Sequence, residues 1–267
     1  TKELSMSQGV ALKELISALN NMLRPDLFRD YAPNGLQVEG RPHVKRIVTG
    51  VTASDALIEK AIGLNADAIL VHHGYFWKGE DPCLSGFKGK RIKKLMQHDI
   101  SLIAYHLPLD AHYEVGNNVQ LGDKLGLTHV KALKNSVARN IDTNNTLLTL
   151  IGETSHNTLE SFQAHIQEVL GREPLVIDGA QGREIKKVAW CTGGAQNEFS
   201  HAVAAGADVF ITGEVSEKNY HEALETGVCF IAAGHHATER YGVQALGNWL
   251  KTYFELEALY IDIDNPV

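Results

Sequence analysis

Apolar residues recur along the chain with two periods, and stretches of the two kinds alternate. Between Val10 and Leu23 the apolar residues fall three and four positions apart, which predicts an amphipathic helix. Ala68–Val71 is instead a short continuous apolar run. Such a run is typical of a parallel strand that is buried on both faces. The same two patterns repeat to the end of the sequence.

The patterns predict further helices at Ser54–Leu64, Arg91–His98, Thr158–Leu170, Glu198–Ala205, Lys218–Glu225 and Thr238–Tyr253. They predict further strands at Leu36–Val38, Ile47–Val51, Ser101–Tyr105, Thr146–Ile151, Val188–Cys191, Val209–Thr212, Val228–Ala233 and Ala258–Ile263. Because strands alternate with helices, we expect an α/β fold with right-handed crossovers.

One stretch interrupts this alternation. Lys131–Asn145 is polar and irregular and is the candidate boundary between two lobes. We therefore expect a first α/β lobe at 1–128 and a second at 129–267, with a closing helix that is able to pack across both.

An internal repeat relates the two halves. Lys45–Val48 matches Lys186–Ala189 at an offset of 141 residues (186 − 45), and the same offset carries Ala66–Leu70 onto Ala207–Ile211. The repeat predicts two structurally related α/β lobes that share a metal site between them.

Histidines and carboxylates follow the predicted strands. His72 and His73 come directly after Ala68–Val71, and two later strands each end at a histidine with a carboxylate four residues on. These pairs are His106 with Asp110 and His235 with Glu239. Since ligands of open α/β sheets bind outside the carboxyl ends of strands, the six side chains predict one site.

Imidazole and carboxylate ligands suit zinc, iron, manganese, cobalt or nickel. A dinuclear centre, with metals roughly 3.5–4 Å apart, needs about six such groups, whereas one zinc ion needs three or four. A single histidine at a strand end is more often a structural group. Paired histidines and carboxylates in a repeat favour metal binding over that alternative. Of the adjacent His235 and His236, one is expected to point away from the site.

Composition narrows the class of protein. The 267 residues are 44% hydrophobic and 21% charged, as in ordinary globular proteins, and 13 of them are histidine. The net charge of −7 disfavours broad nucleic-acid binding. The three scattered cysteines predict a reducing compartment. Because neither a signal sequence nor a membrane span is recognisable, we expect a cytoplasmic protein without a membrane partner.

Three aromatic residues follow the histidine pair: Tyr75, Phe76 and Trp77. They could stack on an aromatic base or pack in an interface, and packing is the favoured interpretation.

Several motifs together resemble a known family. They are Asn34–Val38, Val71–Gly74, His106–Asp110, Ile211–Glu214 and Ala233–Glu239. They look like the motifs of the dinuclear-metal family related to the Ngg1-interacting factor, whose bacterial members are often labelled GTP cyclohydrolase 1 type 2 homologues. The resemblance covers nearly the whole chain and is closest to the short bacterial members.

This resemblance implies two similar α/β lobes and a toroidal homohexamer whose metal pairs face an inner cavity. It carries metal binding onto five residues: His72, His73, Asp110, His235 and Glu239. His106 matches a family position near the metals, where it either ligates a metal or supports a ligand. Two divalent ions per chain (zinc, iron, manganese, cobalt or nickel) are the expected cofactors.

The expected function is that of a metal-dependent hydrolase that acts on a nucleotide-like or phosphoester substrate. The family label implies hydrolytic opening of the GTP purine ring. His106 is the candidate catalytic residue, positioning water or shuttling a proton. The alternative is a non-catalytic, ring-shaped binding, scaffold or metal-handling protein, which could associate with DNA. A small-molecule substrate is the expected partner.

Overall fold

A computed structural model describes residues 9–133 and 148–267. It shows a mixed α/β protein, as the alternating pattern predicts. The chain divides into two compact units. The first unit comprises Thr1–Leu109 and Gly242–Asp264, and the second comprises Asp110–Tyr241 and Asn265–Val267.

In the described residues the strands are β1 (Val10–Ala11), β2 (Gly35–Val38), β3 (His43–Val44), β4 (Arg46–Thr52), β5 (Ala68–His73), β6 (Ser101–Ala104), β7 (Thr128–Ala132), β8 (Leu150–Glu153), β9 (Leu175–Ile177), β10 (Lys187–Trp190), β11 (Val209–Thr212), β12 (Cys229–Ala232) and β13 (Glu257–Tyr260).

The helices are α1 (Leu12–Leu23), α2 (Asp55–Gly63), α3 (Gly86–Gln97), α4 (Leu107–Ala111), α5 (Asn117–Lys124), α6 (Leu159–Leu170), α7 (Phe199–Ala204), α8 (Glu217–Thr226), α9 (His235–Thr238) and α10 (Arg240–Phe254). Short 3-10 turns lie at Pro25–Leu27 and Gln196–Glu198.

The first unit is built on a five-stranded sheet in the order β13-β4-β5-β6-β2. Strands β13, β4, β5 and β6 run parallel, and β2 is an antiparallel edge. Strand β5 carries the continuous apolar run because both of its faces are covered, and Ile69 and Val71 are fully buried in the core. Val10 and Ala11, expected to begin a helix, instead pair with β3.

The second unit is built on a six-stranded sheet in the order β7-β8-β10-β11-β12-β9. Its three central strands, β10, β11 and β12, run parallel, and the outer pairings are antiparallel. Trp190 at the end of β10 is fully buried, and its Nε1 donates a hydrogen bond of 2.8 Å to the carbonyl of Asn118. The indole therefore packs in the core without leaving its polar atom unpaired.

Both units join their parallel strands through the same side-chain contact. In the first, Asp67 Oδ2 accepts the backbone N–H groups of Lys45 and Arg46 at 2.8 and 2.9 Å. In the second, Asp208 Oδ2 accepts those of Lys186 and Lys187 at 2.9 and 2.8 Å. These are the pairs that the 141-residue offset (208 − 67) superposes. The repeated sequence thus builds a repeated hydrogen-bonding pattern at the start of β4 and β10.

The division into units differs from the expected split at 128/129. Its first boundary lies between Leu109 and Asp110, and the chain returns to the first unit at Gly242. The return follows from backbone pairing, because β13 extends the first sheet by parallel pairing with β4. Of the expected boundary segment Lys131–Asn145, the first two residues belong to β7, and residues 134–145 lie outside those described.

Over residues 9–133 and 148–267, no helix is both long and apolar enough to cross a bilayer.

Candidate metal centre

Three histidines of the first unit lie together at the carboxyl ends of neighbouring parallel strands. His72 and His73 are the last residues of β5, and His106 lies between β6 and α4. One ring nitrogen from each lies within 4.8 Å of those of the other two. We call these residues the histidine cluster. Three imidazoles at this spacing fit a divalent metal ion of the zinc or iron type.

His72 and His73 reach the same place because the chain turns directly after them. Their ring centroids are 4.6 Å apart. At the turn, the side chain of Gln37 lies against Gly74 and its Oε1 accepts the N–H of Tyr75 at 2.8 Å. A Cβ at position 74 would lie 2.2 Å from that oxygen and 2.8 Å from the Cβ of Ala104, so a larger residue would displace the Gln37 side chain from this turn.

Hydrogen bonds fix the orientation of the two rings. His72 is fully buried, and its Nδ1 lies 2.9 Å from the carbonyl of Tyr105. A carbonyl only accepts, so Nδ1 carries the proton and Nε2 holds the lone pair that a metal ion would use. His73 Nδ1 lies 3.1 Å from Thr52 Oγ1.

His106 is held by a buried carboxylate. Its Nδ1 lies 2.6 Å from Oδ1 of Asp30, whose side chain is 3% exposed. Asp30 Oδ2 accepts N–H groups from Asn34 and Leu107, both at 2.9 Å. Burial raises the pKa of Asp30, but the hydrogen bond and charge of His106, with these other donors, outweigh burial and lower it. A carboxylate behind an imidazole is the usual support of a histidine metal ligand.

The second unit brings together Asp110, His235 and Glu239, which we call the mixed cluster. Oxygens of Asp110 and Glu239 lie within 4.8 Å of each other, and His235 Nε2 lies 3.1 Å from Glu239 Oε2. Asp110 Oδ1 accepts from Asn117 Nδ2 at 2.9 Å and from Thr192 Oγ1 at 3.3 Å. Two buried carboxylates are costly unless a positive charge lies beside them. Together with an imidazole, they are ligand types that suit a divalent metal ion.

The charge around His235 suits a cation. Its Nδ1 lies 2.6 Å from Glu214 Oε1, and Glu239 faces its other nitrogen. Burial lowers the pKa of His235, but the hydrogen bonds and charges of Glu239 and Glu214 outweigh burial and raise it to about 9. The two carboxylates therefore stabilise positive charge at this point, which a metal ion would also supply.

A glycine gives the mixed cluster its room. Gly193 follows β10 with a φ of +76°, and a Cβ there would lie 2.1 Å from Glu239 Oε1. Its N–H donates to Thr238 Oγ1 at 3.1 Å, which holds the loop against α9. Any larger residue at position 193 would displace the Glu239 carboxylate.

His106 follows β6 and His235 follows β12, but the two histidines do not occupy equivalent positions in the repeat. Tyr105 N donates to Val71 O as Ala233 N donates to Thr212 O, so the repeat aligns Tyr105 with Ala233. His106 then corresponds to Gly234, one residue before His235. The two histidine–carboxylate pairs predicted at strand ends are therefore one residue out of step between the halves, because the sequence pattern fixes strand ends less accurately than backbone pairing does.

The aromatic residues after the histidine pair separate into two kinds. Tyr75 is 4% exposed, and its hydroxyl donates to Ala53 O at 2.6 Å, while Phe76 packs against the core of the first unit. Trp77 lies against the histidine cluster instead, with its ring centroid 5.0 Å from that of His106.

Sequence reasoning missed the residues that hold the imidazoles. The sequence does carry a signal for Glu214, because the 141-residue offset (214 − 73) makes it the equivalent of His73 in the repeat. Asp30 had none, because it lies in an irregular loop 76 residues from His106. Asn117, the first residue of α5, donates a hydrogen bond to Asp110 from the next turn of the chain. His236 is buried beside the mixed cluster.

The fold and these two clusters place the chain among α/β proteins with candidate histidine–carboxylate metal sites at the carboxyl ends of parallel strands. Over residues 10–266 it matches the family described as Duf34/NIF3 (NGG1p interacting factor 3). The chain belongs to this family, as the motifs predict.

A relative from Pseudomonas aeruginosa, named "GTP cyclohydrolase 1 type 2 homolog", is 53% identical over 97% of this chain and 99% of its own length. A solved structure titled "protein ybgI, unknown function" is 46% identical, with a TM-score of 0.90 over 97% of this chain and all of that one. The protein TTHA1606 from Thermus thermophilus is 33% identical, with a TM-score of 0.83 over 97% of this chain and all of its own.

Proposed function

We propose that this protein binds two divalent metal ions and is a metal-dependent hydrolase acting on a nucleotide-like or phosphoester substrate. The observation that carries the proposal is the presence of two ligand-type clusters at the carboxyl ends of parallel strands, one in each unit. The name of the Pseudomonas aeruginosa relative, a homolog of GTP cyclohydrolase 1 type 2, supports a nucleotide as the substrate class.

The proposed ligands are His72, His73, Asp110, His235 and Glu239. Their chemistry, neutral imidazole with ionised carboxylate, fits zinc, iron, manganese, cobalt or nickel. When bound, such ions supply Lewis acidity and bring the pKa of water towards neutrality. The protein orients these side chains through Glu214 behind His235 and Asn117 behind Asp110, and Asp30 holds His106 in the same way.

His106 is the proposed catalytic residue. Because Asp30 occupies its Nδ1, Nε2 is the atom that serves the site. Nε2 either ligates a metal ion or takes up a proton from attacking water, as in other carboxylate-supported histidines. His106→Ala separates these roles, since loss of one ion per chain indicates a ligand, whereas full loading with slow turnover indicates a proton carrier.

The experiment that tests the proposal is metal loading followed by a hydrolysis screen. Purified protein is loaded with each of the five metals, its metal content is measured, and turnover of GTP and phosphoesters is followed. Asp110→Ala should lose at least the ion of the mixed cluster and should abolish turnover. Absence of turnover with every loaded metal would contradict the hydrolase proposal and favour the binding or metal-handling function.

A further inference from the structure

Two aromatic rings flank the histidine cluster, and we call Tyr31 and Trp77 the aromatic wall. The Trp77 ring centroid lies 5.0 Å from that of His106 at an interplanar angle of 89°, and 6.1 Å from that of His73. The Tyr31 ring centroid lies 6.3 Å from that of His106 at 68°. Both rings thus border the imidazoles that the proposed function uses.

Hydrogen bonds hold the aromatic wall in place. Trp77 Nε1 donates to Gly74 O at 3.2 Å, and the Trp77 backbone N–H donates to Glu80 Oε2 at 2.8 Å. The two loops are joined, because Lys78 N donates to Tyr31 O at 2.6 Å. A ring fixed in this way loses little conformational entropy when a ligand stacks on it.

Tyr31 does not contribute its ring to the core. Its side chain is 60% exposed although its backbone N–H donates to Asp30 Oδ1 at 2.7 Å, beside the contact between Asp30 and His106. Tyr75 shows what a packing tyrosine looks like in the same unit, since it is 4% exposed and its hydroxyl is hydrogen-bonded. An exposed ring tied to a functional carboxylate is better suited to contact a ligand.

We propose that the aromatic wall binds the planar aromatic heterocycle of the substrate, a purine-type base, beside the histidine cluster. Stacking of a base on an aromatic side chain contributes about 1–3 kcal/mol and accepts any planar ring. Lys78, which is exposed and lies beside Tyr31 in the backbone pairing, adds a cation suited to a phosphate group. This inference rests on the proposed function, because it names the substrate class of the same site.

The experiment compares two probes that differ only in the base. The protein carries Trp249→Phe, so its two remaining tryptophans are Trp77, next to the site, and Trp190, which is fully buried. This protein is titrated with 5′-GMP or ribose 5-phosphate. Binding of 5′-GMP should change the Trp77 fluorescence, and ribose 5-phosphate should bind much more weakly. By calorimetry, Trp77→Leu should lower the affinity for 5′-GMP by about tenfold, and Trp77→Phe should retain most of it.

Tyr31→Leu is the second variant. Because Tyr31 is exposed, this substitution should not disturb folding, and it should also weaken 5′-GMP binding severalfold. Equal binding of the two probes, wild-type 5′-GMP affinity in both leucine variants, or no 5′-GMP binding by the wild-type protein would overturn the inference. If 5′-GMP binds through the wall but no metal-loaded form hydrolyses any substrate, the proposed function fails and the aromatic wall stands. If a substrate is hydrolysed and neither Trp77→Leu nor Tyr31→Leu changes its turnover, the proposed function stands and the aromatic wall fails.

Discussion

At the scale of single residues, the candidate centre depends on side chains that no metal would touch. Asp30 and Glu214 each place a carboxylate oxygen 2.6 Å from a histidine Nδ1, one in each unit. They come from unrelated places, a loop before β2 and the end of β11. Because either carboxylate leaves Nε2 as the working nitrogen, both units present their histidine in the same tautomer.

Asp30→Asn should lower metal affinity by about 10–100-fold, because the neutral amide supports the imidazole less well. Calorimetric titration with zinc measures it. Asp26→Asn is the matched control, since Asp26 lies in the same loop in an exposed ion pair with Arg24. Equal metal affinities together with equal turnover of the two variants would show that Asp30 does not support His106.

Gly193→Ala should also weaken metal binding, by about tenfold or more, because the new Cβ displaces the Glu239 carboxylate. Gly206→Ala is the control for backbone strain. Its φ of +77° matches the +76° of Gly193, but no atom lies within 4 Å of its Cβ. Both variants should lose stability by about 1–2 kcal/mol. If zinc titration shows the same loss of affinity for both, crowding of Glu239 is not the cause.

The cysteines differ in reactivity for a physical reason. Cys83 is exposed, whereas Cys229 is buried, and burial with the nearby charge of Asp178 raises the pKa of its thiol. Because the thiolate is the reactive form, iodoacetamide should modify Cys83 and spare Cys229 in the folded protein. Peptide mapping by mass spectrometry measures this, and rapid labelling of Cys229 under native conditions would contradict the described packing.

At the scale of elements, the two halves share a hydrogen-bonding pattern as well as sequence similarity. Asp67 and Asp208 each clamp the first residues of a parallel strand, and each precedes the strand that ends at the site. The clamp fixes the register of β4 against β5 and of β10 against β11. Register in turn decides which residues stand at the carboxyl ends.

Asp208→Ala should therefore reduce the free energy of unfolding by about 1 kcal/mol, through the loss of one acceptor for two backbone N–H groups. Asp67→Ala should cost more, because Asp67 also pairs with Arg41 Nη1 at 2.8 Å. Urea unfolding measures both, with Asp123→Ala on the exposed face of α5 as the control. An order in which Asp123→Ala is the most destabilising would contradict the clamp.

Elements with a strong apolar pattern were predictable, and those without one were not. Strands β5 and β11 and the helix capped by Thr158 agree with expectation because burial and capping dictate their residues. Strand β7 was missed because all five of its residues are exposed, which leaves no alternation to detect. Strand β9 was missed because it has three residues.

The candidate site follows the same rule. The histidines and carboxylates after strands could be predicted, since strand ends are readable in the sequence. Asp30 could not, because it reaches His106 through a loop whose path depends on tertiary packing. The aromatic residues after His73 could not be told apart by sequence. Tyr75 is buried and Trp77 faces the cluster, and this difference depends on the path of the chain after the turn at Gly74.

At the scale of the whole molecule, the chain alternates between its two units. Strand β13 extends the sheet of the first unit although Asp110–Tyr241 of the second unit precedes it, which makes the first unit discontinuous in sequence. A contiguous split of the sequence cannot reproduce such a unit. Removal of residues 257–267 should therefore destabilise the first unit, because it exposes the buried edge of β4.

The resemblance also implies a homohexamer, which we retain as a prediction. Sedimentation should give a mass six times that of the 29.3 kDa chain. A monomer or dimer at micromolar concentration would contradict it. The result bears on the aromatic wall as well, because an assembly that covers Tyr31 would leave no room for a base.

Metal content tests the central claim most directly. Wild-type protein, saturated with zinc and freed of excess ion, should hold two ions per chain by elemental analysis. Asp110→Ala should hold at most one ion, because it lacks a ligand of the mixed cluster, and Asp123→Ala should hold two. Two ions per chain retained by Asp110→Ala, or no ion bound by the wild-type protein, would contradict the proposal that these histidines and carboxylates bind two metal ions.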